Sequence, residues 1–366
     1  MVSTNPPMVL NGSHGEGGGA LLRTALSVAA LTQQPVRVHN VRGGMRTPGI
    51  NSEDLCFIRA LGLSCLASMQ GDDLGSNDLT FVPGRAPRSL NHRLDITEFE
   101  KGTVPGNALI VAHALLPVLA RAGAYSRLIV HGETYNPNTL SFDAFERVTL
   151  AAHRRQGLYA YANHVMAGFG YGARGEIGFE VEPSALSGFD WSTRGALRRI
   201  GAVVATADLQ DSVGQRGVAH LERLFAGEPF ESRQGRREVL PKLDVEAEAV
   251  EVRSRGPGAF VTIWAEFEQS IGHGTAMGAR GVKIETVVEN ALDGFLPWFK
   301  SEATVDPFLA DQLLLPAALA EGATTYTTSR VTQRLITMAW VIKQFLPIHI
   351  TVFGRDGEPG KVSISR

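Results

Sequence analysis

Residues 14–19 read "HGEGGG", set between a short apolar run, "MVLNG", and a long one that begins "ALLR". Glycine lets a ligand approach the backbone and takes positive φ at little steric cost. A helix that follows such a turn aims free N–H groups at whatever the turn holds. The chemistry this suggests is anion binding by Gly17, Gly18 and Gly19, with Arg23 one turn into the helix adding a charge. The competing reading is a tight packing turn, and the turn alone does not decide between them. It is not a Walker loop, because the lysine and hydroxyl are absent, and it lacks the spacing of the dinucleotide fingerprint. Glu16 is the odd member. A carboxylate beside a phosphate calls for a metal or a proton-transfer role; otherwise it is an acidic residue at a helix N-terminus.

Two further stretches carry polar groups in apolar surroundings. "FLADQLLLPAALAEG" places Asp311 and Gln312 on an apolar helix, where they need partners: a ligand, or a neighbouring loop. "LIVAHALLP" contains His113, on the plainest reading a core histidine. Asn136 before Pro137 is turn chemistry. No Ser/His/Asp order, H-E-x-x-H or C-x-x-C is present.

The bulk properties narrow the setting. The chain has 366 residues, 44% hydrophobic and 20% charged, with a formal net charge of -2. That is globular composition with no global basic field, so a nucleic-acid contact must come from a local patch. Short patches at Arg154, Arg198 and Arg236 read individually as solvated faces. Cys56 and Cys65 share one segment without histidine partners at zinc spacing, which points to a reducing compartment rather than a disulfide framework. The N-terminal residues lack the pattern of a secretory leader. No run approaches the roughly 18 apolar residues of a membrane span. The expectation is a cytoplasmic protein with no membrane partner; self-association into a homodimer is left open.

The elements that must position these residues read as an α/β (α+β) fold with a threefold pattern. "MVLNG", "ALLRTALSVAALTQ", "PVRVHNV", "SEDLCFIRALG", "LSCLASMQ" and "DLTFVPG" give strand, helix, strand, helix, strand, strand, with Ser52 as the N-cap of the second helix. "HRLDITEF" to "GEIGFEVEP" repeats that order. A third unit runs from about Val282 to the closing hairpin "IHITVFGRDGEPGKVSISR". Between them lies an α/β insertion in which "LDVEAEAVEVRS-RGPG-AFVTIWAEFEQ" reads as an antiparallel hairpin. The expected division is 1–184 with 281–366 as a large three-repeat domain, and 185–280 as the inserted one.

Together these stretches resemble the RNA 3′-terminal phosphate cyclase family. "HGEGGGALLR" is similar to its G-E-G-G-G-Q-x-L-R, "RGGMRTPGI" to R-A-G-R-x-x-P-G-L, and "GETYNPN" to G-G-T-x-N. "RGPG", "GARGVKIE" and "FLADQLLLPAALAEG" follow in the family's order. The resemblance implies three β-α-β-α-β-β repeats with a smaller inserted α/β domain. It implies that ATP, with Mg2+ or Mn2+, adenylylates a histidine, that AMP passes to an RNA 3′-phosphate, and that the 2′-hydroxyl then closes a 2′,3′-cyclic phosphate. By position it assigns nucleotide binding to His113, Phe308, Leu309, Ala310, Asp311 and Gln312. It assigns phosphate or RNA contacts to Gly17, Gly18, Gly19, Arg23, Arg46 and Asn136. Glu16 takes a catalytic place and is the position a metal would use.

The departures concentrate at one place. The family's nucleophile lies in a pattern like S/T-x-H-x-x-T, and here "TQRLIT" puts Arg334 at that position. An imidazole forms and releases a phosphoramidate near neutral pH. A guanidinium does not, although it clamps phosphate bidentately. Met45 stands at the loop arginine, with Arg46 beside it. Glu53-Asp54 replaces a neutral Gln-His pair, His113 replaces a glutamine, and Tyr135 precedes Asn136. His14 and His113 are the histidines left to replace the nucleophile. The expectation is a cyclase-like protein that binds an RNA 3′ end or a nucleotide-like small molecule without adenylyl-histidine chemistry. The alternatives are an active ATP-dependent cyclase and altered phosphate chemistry using a different nucleophile.

Overall fold

Three four-stranded sheets in this chain share one connection pattern. The computed structural model describes residues 6–99, 106–137, 139–170, 172–233 and 235–366. In the first repeat β1 (Met8–Asn11), α1 (Gly19–Thr32), β2 (Val36–His39), α2 (Ser52–Cys65), β3 (Ser68–Gln70) and β4 (Asp78–Val82) form a sheet of order β1-β2-β4-β3. β1 and β2 are parallel and the other pairs antiparallel. The second repeat has β5 (Asn91–Asp95), α3 (Ala108–Ala120), β6 (Ser126–Gly132), α4 (142–155), β7 (Ala160–Met166) and β8 (Gly175–Val181). Its order is β5-β6-β8-β7, with the same senses.

The third repeat opens with β9 (Asp190–Trp191) and is then interrupted. The interruption contains β10 (Leu197–Ala207), α5 (Ser212–Phe225), a ribbon of β11 (Pro229–Glu231) and β12 (Arg237–Val239), then β13 (Glu246–Glu251), β14 (Gly258–Phe267), β15 (Ser270–Met277) and α6 (Ile284–Phe299). The repeat resumes with α7 (Pro307–Gln312), α8 (Leu314–Leu319), β16 (Thr324–Thr328), α9 (Gln333–Phe345), β17 (His349–Phe353) and β18 (Gly360–Ser365). Its sheet runs β17-β18-β16-β9, with β9 parallel to β16.

Three sequence expectations change here. First, α6 packs on the inserted sheet, not in the third repeat. Val287, Val288, Ala291 and Phe295 share a core with Ile200, Val204, Leu221 and Ile263. The third repeat's opening strand, β9, lies ahead of the insertion. Second, β13 and β14 do not form a hairpin: β10 lies between them, parallel to β13 and antiparallel to β14. β10 is buried almost continuously from Ile200, and a strand covered on both faces suits the middle of a sheet. "RGPG" is consequently a crossover, not a hairpin turn. Third, α2 continues through Cys65, so the expected strand there shrinks to Ser68–Gln70. The N-cap of α2 is Asn51, whose side chain accepts from the Asp54 N–H at 2.8 Å, and Ser52 is the first helical residue.

The inserted sheet touches two cores. One face meets α5 and α6. Val203, Ala205, Phe260, Trp264 and Ile271 join the core of the repeats. Both cysteines are buried and unpaired. Burial pushes the Cys56 thiol up to about 12 and Cys65 up to about 11, which keeps both protonated and inert. No helix among the described residues is long and apolar enough to cross a membrane.

Candidate functional site

A cavity of about 970 Å³ opens between the repeats and the inserted domain. The first and third repeats supply one wall through Glu16, the start of α1, Asp311 and Arg334. The inserted domain supplies the other through the end of β15, the ribbon residues Arg233 and Arg236, and Lys300.

The glycine turn reaches this wall by docking on α9. Gly15 and Gly17 have φ of 60° and 61°. A Cβ at Gly15 would overlap Thr337 Oγ1, and one at Gly17 would meet the Gly44 backbone at 2.7 Å. The turn is thus a packing turn over residues 15–17, as the plainer reading expected. It fixes Glu16: the Glu16 N–H donates to Thr337 Oγ1 at 2.9 Å, and that hydroxyl donates to the Gln333 carbonyl at 2.7 Å. His14 stacks on Trp340 at 3.9 Å and faces solvent, away from the cavity wall.

Beyond the turn the second reading also finds its geometry. Gly18 is the N-cap of α1, without a side-chain cap, and the first turn carries no acidic residue. Gly18, Gly19 and Ala20 line the cavity, so the positive end of a 14-residue helix faces it. Arg23 lines it too, but its charge is met. It pairs with Asp54 at 2.5 Å and Glu53 at 3.4 Å, while Arg42 pairs with the other Asp54 oxygen at 3.2 Å. Glu53 and Asp54 are thus balanced by two arginines.

Arg334 has the opposite imbalance. Its Nε lies 3.3 Å from Glu16 Oε1, and its Nη1 lies 3.6 Å from Asp311 Oδ2. Two carboxylates share one guanidinium, with Asp311 buried and Arg334 40% exposed. Burial pushes the Asp311 carboxyl up to about 7; Arg334 draws it down and Glu16 raises it. Asp311 and Glu16 in turn hold the Arg334 guanidinium above its ordinary value. Glu16 Oε2 is buried without a hydrogen-bond partner, as fits a group whose partner is a ligand.

A fourth group escaped the sequence reading. His273, on β15, lines the cavity and is 9% exposed. Its Nδ1 lies 2.8 Å from Asp306 Oδ2, and its backbone N–H donates to the same oxygen at 3.0 Å. Burial raises the Asp306 carboxyl, but His273 and the N–H groups of Phe308 and Leu309 overcome this and hold it below its ordinary value. An ionised carboxylate only accepts, so Nδ1 carries a proton toward Asp306 and Nε2 is the ring's other nitrogen. Nε2 bonds to no described residue. The only signal in sequence was Asp306 as an N-cap ahead of Pro307; its pairing with a histidine 33 positions earlier comes from the insertion folding back.

Among the other expected residues, Phe308 lines the cavity with its ring 39% exposed. Gln312 lines it while accepting from Thr149 Oγ1 at 2.7 Å. His113 lines it from α3, where burial above all lowers its pKa to about 4 and keeps it neutral. Leu309 and Ala310 belong to the core, beneath the wall. Gly17 is spent on packing. Arg46 is exposed and off the cavity, and Asn136 donates to Glu133 at 2.5 Å, also off it.

An uncapped helix N-terminus, a guanidinium and an exposed aromatic ring match phosphate and base. Among the described residues no three His, Cys, Asp or Glu side chains gather to hold a metal; Glu16, the expected ligand, has one oxygen on the Arg334 guanidinium and the other without a partner.

A family model described as RNA 3′-terminal phosphate cyclase matches residues 14–352. The chain is similar to proteins named RNA 3′-terminal phosphate cyclase from Methylococcus capsulatus (32% identical, over 92% of this chain and 90% of the relative) and Nostoc punctiforme (33%, over 92% and 93%). It is also similar to that of Salmonella agona, 34% identical over 93% of this chain and 92% of the relative. Among solved structures, the enolpyruvyl transferase NikO from Streptomyces tendae aligns over all of this chain and 67% of its own at 11% identity, with a TM-score of 0.28, too low to bear on fold or function.

Proposed function

The chain belongs to the RNA 3′-terminal phosphate cyclase family, and we propose that it binds an RNA 3′ end or a nucleotide in the cavity without forming an adenylyl-histidine. Arg334 carries this reading. It stands where the family pattern has its nucleophile, and a guanidinium raised further by Glu16 and Asp311 has no free electron pair to attack phosphorus. It remains a strong phosphate clamp. The start of α1 would take phosphate oxygens and Phe308 a base. ATP or AMP fits these groups; a divalent ion would arrive with the phosphates, not on a protein cage.

Calorimetric titration tests the binding half. AMP and a 3′-phosphorylated oligonucleotide should both bind the wild type, and Arg334→Ala should weaken each roughly tenfold to a hundredfold, the worth of a charge-assisted contact. Unchanged affinity in that variant would remove Arg334 from the site.

His273 favours a second reading, retained chemistry on a different group. Its Asp306-oriented Nε2 opens on the same cavity, an arrangement suited to general-base or nucleophilic work. On this reading the protein converts a 3′-phosphate to a 2′,3′-cyclic phosphate with ATP, and His273→Gln abolishes the conversion while AMP still binds. No conversion by the wild type leaves the binding reading alone.

A further inference from the structure

A second cavity, of about 330 Å³, lies where the β7–β8 connection of the second repeat meets the "RGPG" crossover of the inserted domain. Its floor is backbone joined across the two domains: the Ala167 N–H donates to the Arg253 carbonyl at 2.6 Å, and Ala167 bridges to Ser254. Its rims are Arg174 on one side and Arg255 on the other. Both are exposed, and neither side chain has an ion-pair or hydrogen-bond partner among the described residues. Two other arginines between the repeats and the insertion are paired, Arg147 with Glu146 and Glu248, and Arg155 with Glu266. Two unpaired guanidinium groups thus face one cleft in a chain of net charge -2.

The glycines of the crossover divide by purpose. Gly258 is required by the fold, because a Cβ there would overlap the Phe169 ring. Gly256 lines the cleft, has no positive φ, and a Cβ on it would meet nothing within 4 Å. Neither packing nor backbone conformation asks for glycine there; a ligand lying close to the backbone would. Glu133 is the carboxylate behind the cleft, and it holds the loop by accepting from the Gly172 N–H at 2.9 Å.

The cleft is close to the larger cavity. A Cβ on Gly170, beside Phe169, would lie 3.3 Å from the Met277 methyl, and Met277 lines the larger cavity.

We propose that this cleft is a phosphodiester site that holds the RNA strand upstream of a 3′-terminal nucleotide seated in the larger cavity. The inference rests on the binding reading above and adds the polymer to it. Guanidinium forks recognise phosphate, Gly256 leaves room for it to approach, and the cleft offers no set of side chains to read base edges, so the contact is independent of sequence.

The test is fluorescence anisotropy at several salt concentrations, with AMP and with 3′-phosphorylated RNA of about ten nucleotides. The proteins are wild type, the double variant Arg174→Ala/Arg255→Ala, and Arg255→Glu. The wild type should bind the oligonucleotide more tightly than AMP. In the double variant AMP affinity should hold, oligonucleotide affinity should fall roughly tenfold at low salt, and the slope of log affinity against log salt should shrink by about 1.4, two single-strand phosphate contacts. Arg255→Glu should lower oligonucleotide affinity further. An oligonucleotide affinity and slope unchanged in the variants, or no gain of oligonucleotide over AMP in the wild type, overturns the cleft while leaving the nucleotide site standing. Failure of the wild type to bind either ligand overturns the binding reading, and this one with it.

Discussion

At the scale of single residues the site turns on a charge count. Glu16 and Asp311 share Arg334, so the group carries an excess negative charge when Asp311 is ionised and none when it is protonated. With the carboxyl pushed up to about 7, an anion on Arg334 is favoured below that pH. AMP affinity should fall as pH rises from 6 to 8, by up to about tenfold per unit, and Asp311→Asn should flatten the curve. A pH-independent affinity in the wild type would mean that Asp311 does not gate the clamp. The same shift acts on folding. The native state holds this proton more tightly than an unfolded carboxyl near 3.9, so Asp311 makes stability decline as pH rises from about 4 to 7. Arg334, Asp311 and Glu16 were legible as single letters in motif order. Their mutual neutralisation was not, because it depends on bringing Glu16, 318 positions away, onto the guanidinium that Asp311 also faces. His273 was illegible for a related reason: a histidine in "SIGHGTAM" means nothing until Asp306 is beside it.

At the scale of elements the glycine turn was read two ways, and both describe parts of it. Gly15 and Gly17 serve packing, while Gly18 and Gly19 open α1 toward the cavity. Gly15→Ala should therefore destabilise the fold by about 1–3 kcal/mol, through positive φ and the overlap with Thr337, seen as a lower denaturation midpoint. An unchanged midpoint would detach the turn from α9. The repeat pattern was legible because each unit alternates apolar strands with apolar helices. Its third copy was misframed because β9 is two residues long and lies ahead of the insertion. Strand pairing in the insertion was misread for a simple reason: period-two alternation marks a strand but does not name its neighbour.

At the scale of the whole molecule, the cavity exists because two hydrophobic cores meet across one sheet. A ligand that fills it touches both bodies. Saturating AMP should slow amide hydrogen exchange at the start of α1 and also at the 232–238 ribbon. Protection confined to one of them would place the ligand outside the cavity. The central proposal is that this member of the family binds its ligand in the cavity without forming an adenylyl-histidine. Incubation of the wild type with α-labelled ATP and Mg2+ or Mn2+, followed by separation of the protein, tests it most directly. The account predicts no acid-labile label on the wild type, and label appearing on Arg334→His if the rest of the cavity still accepts ATP. Acid-labile label on the wild-type chain would contradict it.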